Sequence, residues 1–460
     1  MKFLITAAII IALTAWHDSA SAALPGKKPG EQLISEGGND EKNGEREIPA
    51  EESDFSFKIG GMYKNLFMYQ RTDSYIGYNP MRALLPRKRD LVSDMNRIRV
   101  TPEMKYSDIL LIHADVDNEV IPGNYNKSYE FDSFWRDSTY NDLFKLSWEP
   151  AYSRKLYYRT KIHKAYAKLS VSDLSLTLGR QQIRFGSGKL WNPLDILNPI
   201  TPTFIEGPEE QKGTDAAKVD YYFSDSAVLT VVYDQKRRDN DIKKLNPKYA
   251  NYIGRFKMTF SETDIAVLGG MISQKYAGGA DIATNFMDGM LRGSLIYFWP
   301  EKGPQFFQAS TGFEYSFRMG LNFLVEYFYN GSAMNGRRDV KNAFIESQIF
   351  GIYQHDYFKL ANQFLTYNRH YLGLALGYDF MPLLRGEFFS IYDPQGKGLF
   401  VSPTLRFNML DNLDISAGMM MGFTFKKSSS GIAGLLFSNH DTDFSMFKNY
   451  LYTVQASFHF

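Results

Sequence analysis

Charged side chains recur at every second position within otherwise apolar stretches of this chain. Over Asn96–Tyr106, Arg97, Arg99, Glu103 and Lys105 alternate with Ile98, Val100 and Met104. Over Asp108–Asp117, His113 and Asp115 alternate with Leu110, Ile112, Ala114 and Val116. In an extended strand a period of two collects the charges on one face and the apolar groups on the other. Lys164, Lys168, Arg255, Lys257, Arg292, Arg385 and Arg406 join the set as cations, and Glu326 and Glu387 as acids. Such a face sets a field that favours one sign of solute over the other. Cations outnumber acids in this set, although the formal charge of the whole chain is only +1.

The densest local pattern is LGRQQIRFGSGKLWNPLDILNP, Leu178 to Pro199. Arg180, Gln182 and Arg184 run into Gly186-Ser187-Gly188, followed by Trp191, Asn192-Pro193 and Asn198-Pro199. Glycines permit sharp turns and prolines fix extended geometry, so a compact segment that folds inward as a constriction is expected. The GSGK within it lacks the spacing and the strand-to-helix setting of a phosphate-binding loop. Its parity is awkward, because Arg180 and Arg184 share a face with Leu174, Leu176 and Leu178. Either a bulge near Gly179 flips the phase, or the arginines lie beyond the apolar zone; the sequence is compatible with both. His113, His163, His355, His370 and His440 sit in no catalytic motif, so an enzyme is not expected. Asp137, Asp142, Glu206, Glu209 and Glu210 read as an acidic solvated loop face rather than a Ca²⁺ site. No metal or cofactor is expected. The absence of cysteine excludes disulfides, thiolate metal sites and haem attachment through CxxCH.

The elements that must position these residues are strands. Phe and Tyr number 36 and 30, a surplus suited to strands and to interfacial aromatic girdles. No run of 18 apolar residues occurs, so helical membrane spans are not expected. Phe55, Phe57, Ile59, Tyr63, Phe67 and Tyr69 begin the alternation, and SMFKNYLYTVQASFHF ends it. There Tyr452, Val454, Ala456, Phe458 and Phe460 oppose Thr453, Gln455, Ser457 and His459. Short turns at Ser107-Asp108, Ser172-Asp173, Ser224-Asp225, Glu262-Thr263 and Asn412 alternate with long polar stretches at 118–160, 185–213, 237–249, 276–286, 331–366 and 426–444. One-sided alternation of short and long connections is the pattern of outer-membrane barrels. At the other end, Lys2, the apolar Phe3–Trp16 and Ala20-Ser21-Ala22 form a signal peptide over 1–22. Residues 23–53, rich in Gly, Glu, Lys and Asn, read as a disordered periplasmic leader.

These observations predict an all-β chain: a transmembrane antiparallel β-barrel over 54–460, with 16–18 strands and 18 as the best guess. About 17 strands are countable by eye. A bacterial barrel wants an even number, and 338–366 is the expected place for the missing one. Backbone groups in lipid must pair internally, so the sheet must close. An outward Arg or Lys near the midplane costs roughly 2–4 kcal/mol, so charged faces should turn inward. The pore-lining candidates are therefore the charged set above with Arg180 and Arg184, and a preference for anionic solutes follows as a hypothesis.

The segment GRQQIRFGSGKLWNPLDILNP resembles the motif region of large Gram-negative barrels of the alginate-export and related porin-like families. The resemblance spans roughly 55–460. It implies a 16- to 18-stranded solute channel in the outer membrane, with Arg180 and Arg184 as the residues carried over. The dense arginine lining of an alginate channel is not evident, which argues against that substrate. The aromatic terminal strand ending at Phe460 implies recognition by the barrel-assembly machinery. The expected function is a porin-like channel for small hydrophilic solutes, with outer-membrane lipids as its surroundings and no nucleic-acid partner. The alternative is a barrel that sheathes periplasmic multihaem cytochromes, which would supply all the haem.

Overall fold

The computed structural model describes residues 54–72, 89–127, 131, 142–153, 155–197, 210, 213–236, 247–272, 274–301, 303–333, 366, 368–425 and 450–460. The signal peptide, the leader and the region expected to hide a strand, 338–365, lie outside them. The strands are Phe55–Thr72 (β1), Arg89–Tyr106 (β2), Leu110–Pro122 (β3), Ser147–Tyr152 (β4), Leu156–Val171 (β5), Leu174–Gln181 (β6), Thr214–Ser224 (β7), Ala227–Gln235 (β8), Ala250–Phe260 (β9) and Thr263–Ile272 (β10). They continue with Lys275–Phe286 (β11), Gly289–Pro300 (β12), Phe306–Ser316 (β13), Leu321–Asn330 (β14), His370–Met381 (β15), Leu384–Asp393 (β16), Gly398–Leu410 (β17), Leu413–Thr424 (β18) and Leu451–His459 (β19).

Every strand pairs antiparallel with its neighbours, and β19 returns to β1 through Tyr63↔Phe458 and Phe67↔Val454. Leaving β4 aside, the described strands form a closed ring of 18. The expected short turns all lie at one end of this ring, where β1 begins and Phe460 finishes. That end is here termed the turn end, and the opposite one the loop end. The stretch 276–286, expected to be a loop, is instead β11. Ala277, Gly278, Gly279 and Ala280 dilute its apolar alternation, so the period of two is hard to read there.

Alternation sorts the wall as the spacing predicts. On β2, Leu91, Ser93, Met95, Arg97 and Arg99 are buried inward, while Ile98 and Val100 are exposed outward. On β19, Tyr452 and Val454 are exposed and Ser457 is buried. An outward face this apolar, on a sheet without free edges, defines a transmembrane β-barrel.

The fourth strand breaks the simple order. Its Ser147 and Trp148 pair with Lys161 and Thr160 of β5, whose other edge pairs those same residues with Asp117 and Asn118 of β3. The sixth strand pairs β5 only from Ala165 to Val171. Thus β4 occupies the edge of β5 that β6 abandons when it leaves the wall after Gln181.

Candidate functional site

Gly179 is where β6 turns. Its φ of +119° lies in the region open to glycine, and a Cβ there would collide with the Ala165 carbonyl. Leu174 and Leu178 are exposed and Ser175 and Thr177 buried, yet Arg180 and Gln181 are both buried. The pairing of β6 with β5 and β7 runs through Gly179 to Gln181 without a register shift, so no bulge flips the phase; Arg180 keeps the parity of Leu174 and Leu178 and is buried by its contacts instead. Arg180 does not stand free in the lumen. Its Nε donates to Asp215 Oδ1 (2.8 Å), and its guanidinium also donates to the carbonyls of Phe144 (2.8 Å) and Ile162 (3.2 Å) and faces Asp142 at 3.2 Å. It seals the seam between β4, β5 and β7.

Beyond Gln181 the chain crosses the interior. Ser187 donates from its N–H and its hydroxyl to Asp281 on β11 (3.0 and 2.9 Å). Next, the N–H groups of Lys189, Leu190 and Trp191 converge on the Glu326 carboxylate of β14 at 3.0, 3.3 and 2.6 Å. Trp191 stacks on Phe328, with centroids 5.5 Å apart and planes 8° from parallel. Two wall glycines admit this approach. A Cβ on Gly373 would meet the Trp191 ring at 2.8 Å, and one on Gly279 would meet Leu194 at 2.6 Å. Because β14 lies eight places from β6 around a ring of eighteen, residues 182–197 span nearly the full bore.

The segment is held by an interior that is apolar, which charge patterning alone did not reveal. Ile183, Phe185, Leu194, Ile196 and Leu197 pack with Val232, Ile253, Leu268, Ile296 and Phe298 of the loop-end half of the wall. Leu190 and Trp191 join Leu66, Met95, Tyr157, Phe328, Tyr371 and Phe400 in a second cluster. Burying each large side chain is worth roughly 1.5–3 kcal/mol, so the segment is a packed element rather than a loose loop.

Glu210 returns the chain to the first strands. Its carboxylate meets Arg97 and Arg99 at 2.8 Å each and Lys64 at 3.5 Å. Burial raises the pKa of this carboxyl, but Arg97, Lys64 and Arg99 outweigh burial and hold it down at about 2. The same network takes in Asp117, which meets Arg99 at 2.6 Å, Glu119, which meets Arg97 at 2.9 Å and Arg159 more closely still, and Lys161, which is 2.9 Å from Glu119. Glu210 and Asp142, expected on a solvated acidic face, are thus buried ion-pair partners; Asp137, Glu206 and Glu209 lie outside the described residues. Asp117, Glu119, Arg159, Lys161 and Lys64 were not singled out from sequence, though they continue the alternation of their strands.

The remaining candidates fall into three places. Glu103, Lys105, Asp115, Lys164 and Lys168 lie in the turn-end half of β2, β3 and β5, where His113 bridges Glu103 (3.3 Å) and Asp115 (3.2 Å) and Lys164 pairs with Asp115 (3.3 Å). Arg255, Lys257 and Arg292 line a cavity of about 320 Å³ beside Ser187, together with Asp264 and Asp281. Arg255 lies over the Phe185 ring at 5.5 Å, and Arg292 pairs with Glu314 at 2.6 Å. Arg184, Arg385, Glu387 and Arg406 line a larger cavity of about 870 Å³ on the turn-end side of the segment. There Arg385 and Arg406 share Glu387, at 3.2 and 3.4 Å.

Arg184 leans toward Asp195 at 3.4 Å. Asp195 is buried, and neither carboxylate oxygen has a hydrogen-bond partner. Burial pushes its carboxyl up to about 7 against the pull of Arg184.

The barrel matches solved Gram-negative outer-membrane porins in fold. Acinetobacter baumannii OccAB3 is similar at a TM-score of 0.51 and 9% identity, with 88% of this chain and 99% of that one covered. Pseudomonas aeruginosa OccK2 (OpdF) is similar at 0.50 and 10% identity, with 88% and 97% covered. No protein-family model and no curated protein matches the chain.

Proposed function

We propose that this protein is an outer-membrane channel for small hydrophilic solutes, with residues 182–197 as its constriction and the turn end facing the periplasm. The observation that carries this reading is the segment itself: it crosses the bore, anchored by Asp281 and Glu326, and on its turn-end side borders cavities of about 320 and 870 Å³ whose linings carry charged side chains. Charge in the larger cavity supports a mild preference for anions. Lys64, Arg184, Lys189, Arg385 and Arg406 face Glu210, Glu314, Glu387 and Asp414, one cation in excess, and most are partly paired. The wider cationic lining inferred from sequence contributes less than its residue count suggests, because Arg97, Arg99 and Arg180 are engaged in buried ion pairs.

A cytochrome sheath needs an open bore wide enough for a haem protein, and a segment packed across the lumen does not favour it. Reversal potentials of the refolded protein in planar bilayers under asymmetric KCl test the proposal. Discrete conductance with weak anion selectivity supports it. Cation selectivity would remove the anion preference, and no current under any condition would remove the channel.

A further inference from the structure

The turn end is built differently along its two arcs. Between β2 and β10 the turns are Ser107-Asp108, Ser172-Asp173, Asp225-Ser226 and Ser261-Glu262, each with a carboxylate. From β11 to β18 each turn carries a methionine in it or at its edge: Met287, Met319, Met381 and Met409, exposed by 76, 69, 63 and 52%. On the first arc the outward apolar surface ends largely with the strands, at Val171, Leu174, Phe223 and Phe260, with Ile109 the apolar exception in a turn. On the second it continues past the strand ends, from Phe286, Phe317, Phe380 and Phe407 into the methionines and into Leu383 and Leu410, with Asp288, Arg318 and Asp411 as the charged residues of those turns. Two further residues of strand, tilted and rising about 3.3 Å each, lower the apolar boundary by roughly 5 Å on that side.

We infer that the β11–β18 arc of the turn end is seated in the lipid of the inner leaflet, its methionine turns immersed, while the Ser-Asp and Ser-Glu turns of the other arc stand in water. Continuity identifies the occupant. The methionines extend the band that already faces hydrocarbon. Adjacent turns lie two strands apart, about 10 Å, and Asp288, Arg318 and Asp411 intervene in sequence. That arrangement suits fluid chains below and headgroups beside them better than one packed protein contact. Unbranched, polarizable methionine adapts to such disordered surroundings, and Arg318 is placed to reach a lipid phosphate while its stem stays apolar. The inference rests on the barrel spanning a membrane and is independent of what passes through it.

The chain has no cysteine, so single-cysteine variants report one site each. Nitroxide labels at Met287→Cys, Met319→Cys, Met381→Cys and Met409→Cys are to be compared with labels at Asp108→Cys, Asp173→Cys, Asp225→Cys and Glu262→Cys. The refolded protein is placed in phosphatidylethanolamine–phosphatidylglycerol vesicles, with heat-modifiable electrophoretic mobility confirming each fold. The ratio of oxygen to nickel-chelate accessibility is expected to be about tenfold higher across the methionine set, as for sites withdrawn from water. Equal ratios in the two sets would overturn the inference. So would methionine sites that are wet in pure lipid and shielded only in native membranes, since a protein would then cover the arc.

Discussion

Replacing Glu326 should release the constriction. Its carboxylate accepts three backbone N–H groups, from Trp191 at 2.6 Å, Lys189 at 3.0 Å and Leu190 at 3.3 Å. A hydrogen bond to a charged group is worth about 1.5–3 kcal/mol, and a buried donor left without a partner costs about 1–3 kcal/mol. The longest contact adds little, so Glu326→Ala should weaken docking by about 4 kcal/mol, roughly a thousandfold in the ratio of docked to undocked segment. Glu326→Gln keeps one carbonyl acceptor and should cost about 1–2 kcal/mol, roughly tenfold. Apolar contacts of Trp191 and Leu194 survive in both variants, so the barrel should fold and the effect should appear as gating. Single-channel recordings should show large-conductance openings increasing from wild type to Glu326→Gln to Glu326→Ala. A folded Glu326→Ala barrel with wild-type conductance and noise would refute the argument that this carboxylate latches the pore.

Three further outcomes follow. Asp195 holds its proton up to about pH 7 when docked and to about 3.8 when free, so docking is fully favoured below about pH 4 and weakens as pH rises toward 7. Openings should become more frequent from pH 5 to pH 8, and Asp195→Asn should flatten that profile. Arg180→Met leaves Asp215 and Asp142 buried without their cation, a loss of about 3–5 kcal/mol that urea-unfolding midpoints should register; an unchanged midpoint would mean that the seam does not depend on the pair. Gly373→Val puts side-chain atoms where Leu190 and the Trp191 ring lie, and should raise the mean conductance; identical conductance would place the segment elsewhere.

What was legible in the sequence depended on whether lipid imposed it. Outward positions must be apolar, so Ile98, Val100, Tyr452 and Val454 declared their faces through a period of two, and short turns declared the hairpins. The interior obeys no such rule. Phe328, Tyr371 and Phe400 point inward as apolar groups on strands whose outward positions are also apolar, so alternation is lost where the core is richest. The segment of β11 was missed for a related reason, since Gly279 is small to leave room for Leu194, a partner some eighty residues away. Arg180 was legible as an anomaly of parity, and its actual partners were not. Asp215 lies on the neighbouring strand and Asp142 on the approach to β4, and only pairing and the strand exchange bring them together.

The exchange itself explains how residues 182–197 can enter the barrel interior. A strand cannot quit a wall that faces lipid without stranding its neighbour's backbone groups, each at a cost of several kcal/mol. When β6 departs after Gln181, the upper edge of β5 loses its partner. That edge is satisfied by β4 and by Leu146, whose carbonyl accepts from Ile162 N–H at 2.9 Å, while Arg180 donates to the Ile162 carbonyl. The conformation of Gly179, the burial of Arg180, the insertion of β4 and the inward course of residues 182–197 are therefore coupled. A change that restored β6 to the wall would displace β4 and withdraw the segment from the bore. The sequence region that looked like a loop motif is, in physical terms, the place where the wall gives up one strand to the lumen and replaces it with another.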